Sequence, residues 1–292
     1  MTNPLFKIRD LSCRYSEASR IVLDISELDI PAGKVVFIVG VSGVGKSTIL
    51  ETLGMMNNTL ASNSNLVFEY QSPKQKNPRA LRSLWERKDD EAISNFRSKE
   101  FSFIFQDTNL MKNFSAWENI YLPALLRGRT MGQARDKAKN IIKAIFKEDL
   151  DESKMIYHLS GGQRQRLSFA RAMVSEFSVL FCDEPTGNLD RFNSVRLFEV
   201  LKNHIVQEQK SAIVVSHDLE LSAKFADILI HIRKIKKPKS SANETESISG
   251  LIDDESVYIN NGQHWDVGGQ KLNASDFQEH LVQLLNKDNN LN

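Results

Sequence analysis

Cysteine is nearly absent from this 292-residue chain. Cys13 and Cys182 alone cannot furnish the disulfide framework of a small secreted domain, and a reducing cytosol fits that usage best. An excess of one charge is missing as well: with 38 Lys+Arg against 37 Asp+Glu, no global basic field draws nucleic acid to the surface, so no nucleic-acid partner is expected. Long apolar runs are also lacking. Nowhere do about 18 consecutive apolar residues occur, and the start MTNPLFKIRDLSCRYSEAS has no signal-peptide core. The chain is therefore expected not to cross a membrane, and any membrane role has to run through another polypeptide. No internal repeat is visible.

What is present suffices for a folded core, at 41% hydrophobic residues. Val35, Val36, Phe37, Ile38 and Val39 form a short, continuously apolar, β-rich run, the pattern of a strand buried on both faces of a largely parallel sheet. Segments 101–105, 179–182, 212–215 and 228–232 read alike. Between them Ala134, Ala138, Ile141, Ile142, Ile145 and Phe146 share one helical face. Strand and helix alternate, so the class is α/β. Residues 71–95 are charged, with two prolines, and read as an exposed inserted loop with at most a short helix. Residues 233–250 have a linker's composition, and 251–292 suggest a small hairpin and helix.

Three strings carry chemistry. Gly40, Val41, Ser42, Gly43, Val44, Gly45, Lys46, Ser47 and Thr48 follow the first buried strand and open a helix, the setting a phosphate-binding loop requires. The glycines let several N–H groups converge on one phosphate, and the helix adds the positive end of its dipole. Lys46 then bridges the β- and γ-phosphates, and the Ser47 hydroxyl ligates Mg²⁺. The run 179–184 is an apolar strand ending in Asp183 and Glu184 at the sheet edge where α/β sites form. Asp183 anchors Mg²⁺ there, and Glu184 is placed to polarise the attacking water. Ser160, Gly161, Gly162 and Gln163 precede a helical run, a second anion-binding helix start in one chain. Two such starts suggest that two copies share each nucleotide.

The string Leu159, Ser160, Gly161, Gly162, Gln163 resembles the signature motif of ABC ATPases, and its neighbours follow that family's order over roughly residues 5–232. The resemblance implies a P-loop NTPase core with a largely parallel sheet, an antiparallel β subdomain and an α-helical signature subdomain. It implies ATP and Mg²⁺ as ligands and ATP hydrolysis as the activity. Tyr15 resembles the aromatic that stacks on adenine, 40–48 the Walker A loop, Gln106 the Q-loop glutamine that senses Mg²⁺ and water, 187–190 the D-loop, and His217 the switch histidine. The partners implied are a second copy, head to tail, and a separate membrane-spanning permease-type subunit, which places the chain peripherally on the inner face of the cytoplasmic membrane.

Within the family, 182–190, 105–106 and 117–123 resemble the branch of macrolide-exporter, lipoprotein-releasing and FtsE-like ATPases. Lys112-Asn113 replaces that branch's usual Leu-Pro, 71–95 is long for it, and about sixty residues follow the last core strand. A DNA-repair relative would carry a long coiled coil between residues 48 and 159, and a translation-factor relative would carry two cassettes; neither is present. A non-hydrolysing regulatory module would have lost Lys46, Glu184 or His217. Segment 107–126 follows Gln106 and carries Leu110, Met111, Phe114, Trp117, Ile120, Tyr121 and Leu122, a set suited to gripping helices of a membrane partner. The part after Arg233 is expected to be dispensable for the chemistry.

Overall fold

The computed structural model describes residues 4–17, 19–61, 63–73, 75, 77–146, 150–237 and 247–291. In chain order the elements are β1 (Phe6–Cys13), β2 (Leu23–Ile30), β3 (Val35–Val39), α1 (Lys46–Leu53), β4 (Val67–Tyr70), β5 (Arg79–Ala80), α2 (Arg82–Glu86), α3 (Asp90–Glu100) and β6 (Phe101–Ile104). There follow α4 (Ala116–Leu126), α5 (Met131–Ile145), α6 (Gly161–Val174), β7 (Val179–Asp183), α7 (Arg191–Gln207), β8 (Ser211–Val215), α8 (Leu219–Phe225) and β9 (Ile228–His231). The last are β10 (Arg233–Lys237), β11 (Ser247–Ile252), β12 (Val257–Asn260), β13 (Trp265–Val267), β14 (Gln270–Leu272) and α9 (Ala274–Asn289).

Five parallel strands in the order β9-β3-β8-β7-β6 form the centre of one sheet. Their continuous apolar runs are explained by burial on both faces. Along β3, Val35, Phe37 and Val39 enter one core while Val36 and Ile38 enter another, and β7 and β8 alternate in the same way. One core is closed by helices, the group α4, α5 and α6 together with α7, α8 and α9, with the α5 face read from sequence fully buried. The other is closed by a second sheet, β10-β11-β2-β1-β4-β5. Aromatic pairs cross between the sheets: Tyr70 to Phe101 at 5.4 Å, Phe6 to Phe101 at 6.2 Å and Phe6 to Phe181 at 6.4 Å between ring centroids. Among the described residues no helix is long and apolar enough to cross a membrane.

Two expectations change. The insertion at 71–95 carries β5, α2 and the start of α3, not a loop with one short helix; Lys74 and Lys76 lie outside the described residues. Within it Leu81, Leu84 and Ile93 are buried, with Trp85 and Ala92 partly buried against the same core, and Asp89 caps α3 by accepting from Ala92 N–H at 2.9 Å. The stretch 233–250 is not a linker where it is described. β10 pairs antiparallel with β11, and β11 runs parallel to β2 with Gly250 opposite Leu23; residues 238–246 lie outside the described residues. Lysines on β10 gave this edge strand its linker-like composition, as charge on edge strands does.

The expected C-terminal hairpin and helix are present, but they continue the core. β12 pairs with β9, so β12, β13 and β14 extend the central sheet. Trp265 is buried, stacks on Phe277 at 4.0 Å, and donates its Nε1 hydrogen to Ala223 O at 3.1 Å. A buried pair, His231 Nε2 and Asp288 Oδ2 at 2.9 Å, ties α9 to β9.

Candidate nucleotide site

The loop between β3 and α1 has to reverse direction while presenting its amides to one point. Gly43 and Gly45 stand at φ +77° and +105°, a backbone region that side chains disfavour, and Gly45 caps α1. Lys46 Nζ donates to the loop's own carbonyls, Gly40 O at 2.9 Å and Val41 O at 3.0 Å, so the ammonium lies in the hollow of the loop. Burial pushes its pKa below the usual lysine value, against the pull of Glu184 and then Asp183.

A cleft of about 360 Å³ opens here, lined by Ser42, Gly43, Gly45, Lys46, Ser47, Thr48, Gln106, Asp183, Glu184 and His217, with Val22 and Val215. Three strand ends deliver the groups that are remote in sequence: Gln106 follows β6, Asp183 ends β7 beside Glu184, and His217 follows β8. All the residues expected at the phosphate end except Gly40, Val41 and Val44 line this cleft. Those three lie behind the loop as part of its packed wall, Val41 and Val44 being buried.

Glu184 sits at φ +46°, an uncommon conformation for a residue with a side chain and one that collects at functional sites. Its N–H donates to Val215 O at 3.0 Å, and its Oε2 accepts from the His217 backbone N–H at 3.3 Å. His217 Nε2 lies 3.1 Å from Glu184 Oε1, close enough for an ion pair once the ring is protonated. The contact lacks hydrogen-bond alignment, so Oε1 is buried with no hydrogen-bond partner among the described residues. Burial raises the Glu184 pKa, only partly opposed by that backbone hydrogen bond and Lys46. Asp183 is raised by burial and by Glu51, against Lys46 and His217. His217 is lowered by burial and by Lys46. Two carboxylates held above their ordinary range beside a lysine held below its own is the electrostatic mark of a reactive cleft.

Other expected residues stand apart. Tyr15 is half exposed and does not line the cleft; its hydroxyl reaches Thr48 Oγ1 at 3.0 Å and donates to Glu51 Oε2 at 3.2 Å, which fixes the ring beside α1. Ser160, Gly161, Gly162 and Gln163 are also outside the cleft of their own chain. Ser160 Oγ accepts from Gln163 N–H at 3.2 Å and Gln163 Oε1 accepts from Ser160 N–H at 3.0 Å, a closed capping box. From α6, Gln165 Nε2 donates to Pro185 O at 2.7 Å, linking this helix to the segment after Glu184. Sequence reasoning missed Val22, Val215 and Gln165, because strand position and a long-range bond place them and no local motif marks them. Cys13 and Cys182 are free and buried; burial pushes the Cys13 thiol up to about 11 and the Cys182 thiol higher, so neither is a thiolate near neutrality.

Residues 23–187 match the model of the ABC transporter family. The chain is 35% identical over 221 residues, 75% of its length and 87% of the relative's, to the lipoprotein-releasing system ATP-binding protein LolD of Chromohalobacter salexigens. It is 33% identical over 250 residues to the macrolide export ATP-binding/permease protein MacB of Hyphomonas neptunium, covering 84% of this chain and 36% of that one. Among solved structures, the dimeric post-hydrolysis state of the ATP-binding cassette MJ0796 bound to ADP and Pi superposes with a TM-score of 0.64 at 26% identity, over 77% of this chain and 93% of that one. A buried carboxylate facing a phosphate-binding loop, on a parallel sheet flanked by helical and antiparallel subdomains, defines a P-loop ATPase. The chain belongs to the ABC transporter family, as an ATP-binding and ATP-hydrolysing subunit of the branch that includes LolD and MacB.

Proposed function

We propose that ATP binds in the cleft with its phosphates against 40–48, its adenine against Tyr15, and its γ-phosphate facing Glu184. The observation that carries this reading is Glu184 Oε1, a buried carboxylate oxygen with no hydrogen-bond partner among the described residues, opposite the loop that holds Lys46. A buried acceptor without a donor is costly, and a water in line with the γ-phosphate supplies that donor. Glu184 polarises this water, His217 holds and orients the carboxylate, and Lys46 stabilises charge on the β- and γ-phosphates.

Among the described residues no cluster of three His, Cys, Asp or Glu could hold a metal alone. Ser47 and Asp183 with Gln106 fit a Mg²⁺ ion that takes its remaining ligands from phosphate and water. Bound there, Mg²⁺ neutralises charge on the phosphates. The signature residues Ser160, Gly161, Gly162 and Gln163, remote from their own cleft, serve the nucleotide of a second copy, head to tail. The catalytic unit spans 5–232, with 233–237, 247–252 and 257–272 built onto its two sheets.

The ATPase drives a separate membrane-spanning permease-type subunit from the inner face of the cytoplasmic membrane. The surface after Gln106 is the contact: Met111 and Phe114 are exposed there, with Leu110 partly so. Lys46→Ala tests the nucleotide site. Titration with Mg-ATP should show binding lost or weakened by at least about tenfold, and an unchanged dissociation constant would refute the site.

A further inference from the structure

The phosphate-binding loop is held from behind by three close approaches. A Cβ at Gly45 would stand 3.2 Å from Leu23 Cβ and 3.6 Å from Val22 Cγ1, so the loop rests on the start of β2. A Cβ at Gly40 would meet Val44 Cγ1 at 2.8 Å and Ile232 O at 3.1 Å, where β9 gives way to β10. The third and tightest approach comes from the C-terminal part of the chain. At Gly250, on β11, a Cβ would sit inside the van der Waals shell of the Val44 carbonyl oxygen, 2.7 Å from Ile232 Cγ2 and 3.0 Å from Leu23 Cδ1.

We propose that Gly250 is a positioning residue for the phosphate-binding loop, and that the hairpin β10–β11 is the rear wall of the nucleotide site. The proposal rests on the nucleotide reading of that cleft. The peptide joining Val44 to Gly45 is planar and trans, so its C=O and N–H point in opposite directions. With the Val44 carbonyl facing Gly250, the Gly45 N–H is directed away from the hairpin, toward the cleft that Gly45 lines. The orientation of one amide that receives phosphate is thus set by a residue some two hundred positions away. Gly250 is anchored in turn: its N–H donates to Val22 O at 2.8 Å, Val22 N–H donates to Cys13 O at 2.8 Å, and Val22 itself lines the cleft. Glycine is required at 250 by close approach, because its φ is not positive. Any side chain must push the Val44 carbonyl or lift β11 off β2.

The hairpin can be removed without severing the central sheet. β9 and β12 are already neighbours, with Ile230 opposite Val257, so 233–256 leaves and re-enters at adjacent points, and a short turn can bridge them. Two variants are therefore compared with wild type, Gly250→Ala and replacement of 233–256 by a four-residue Gly/Ser turn, with Gly132→Ala on α5, where a Cβ would have only Thr130 Oγ1 near it, at 4.0 Å, as control. Mg-ATP affinity is measured alongside the melting temperature without nucleotide. Folded Gly250→Ala and the excised chain should each bind at least about tenfold more weakly, since displacing a binding group by an ångström can cost about a hundredfold, while Gly132→Ala binds as wild type. Either folded variant binding within about twofold of wild type overturns the proposal.

Hydrogen exchange on the wild-type chain needs no variant to fold. Adding Mg²⁺ and a non-hydrolysable ATP analogue should slow exchange at 247–252 together with 40–48, because coupling between the two is reciprocal. Protection of 40–48 with none at 247–252 overturns the proposal. If Lys46→Ala and Gly250→Ala both leave affinity unchanged, the nucleotide site itself has been misplaced; if Lys46→Ala alone weakens it, only the role of Gly250 fails.

Discussion

The His217 backbone N–H donates to Glu184 Oε2 at 3.3 Å, while the His217 ring Nε2 stands 3.1 Å from Oε1 without hydrogen-bond alignment. The carboxylate is held by a neighbouring strand end through its backbone and offers one oxygen to the cleft. Movement of 217 relative to 184 therefore changes the aim of the base and leaves the phosphate-binding loop alone.

Glu184→Gln keeps the shape of the side chain and its acceptor toward the His217 amide. It removes the charge that polarises water. ATP binding should persist while steady-state hydrolysis falls by about 10² to 10⁴. Turnover near the wild-type rate in a phosphate-release assay would remove Glu184 from its role.

The same substitution should raise stability. Burial lifts the Glu184 pKa above its ordinary value, so between the ordinary and the lifted pKa the folded state holds the proton more tightly than the unfolded one. Stability is thus lost as pH rises through that window, and the full cost is present above it. Melting temperatures from about pH 4 to about pH 8 should show Glu184→Gln above wild type at neutral pH, with the gap closing toward acid. A gap that widens toward acid contradicts the raised pKa.

The parallel strands and the phosphate end of the cleft were legible because their signals are local. Val35 to Val39 has no polar residue to place outside, and glycine spacing before Lys46 dictates a loop. In the C-terminal part the hairpin and helix were legible but their place in the core was not, since that place lies in contacts across the chain: Trp265 with Ala223, Asp288 with His231, Gly250 with Val44. A lysine-rich strand on a sheet edge has the composition of a linker, and only its partner distinguishes the two. Trp117 misled for a related reason. Aromatic content in 107–126 suggested a gripping surface, yet the local pattern could not say which residues the subdomain keeps for its own core.

Truncation at Lys234 should therefore cost the fold. It removes β12 from the edge of β9, the Trp265–Phe277 stack, and the Asp288 partner of buried His231. Trp265→Ala alone should cost about 3–5 kcal/mol, read from denaturant unfolding. A truncated chain that melts at the wild-type temperature and hydrolyses ATP would restore the view of the tail as an accessory.

Docking should be lost through Met111 and Phe114, exposed at 47% and 37%. Trp117 is 7% exposed and donates its indole N–H to Leu150 O at 2.8 Å. Met111→Ala with Phe114→Ala should leave melting temperature and ATP affinity near wild type and abolish co-purification with the membrane subunit, whereas Trp117→Ala should destabilise the helical subdomain. Co-purification that survives the double substitution moves the contact elsewhere.

The separation of the signature residues from their own cleft leads to a test by mixing. If each ATP is shared between 40–48 of one copy and Ser160 to Gln163 of the other, a Lys46→Ala chain retains a sound signature and a Ser160→Arg chain retains a sound phosphate-binding loop. Each variant alone forms dimers in which both composite sites are broken. A mixed dimer has one site with both defects and one with none. Random pairing at equal concentrations places about half of the chains in mixed dimers, so up to about a quarter of the wild-type sites are recovered. Ser160→Arg also removes the hydroxyl that caps α6, a loss of about 1 kcal/mol, so each variant's melting temperature is checked first. ATPase activity should be near zero for either chain alone and should reappear on mixing. Two folded variants that stay inactive when mixed would show that the signature does not complete a neighbour's site.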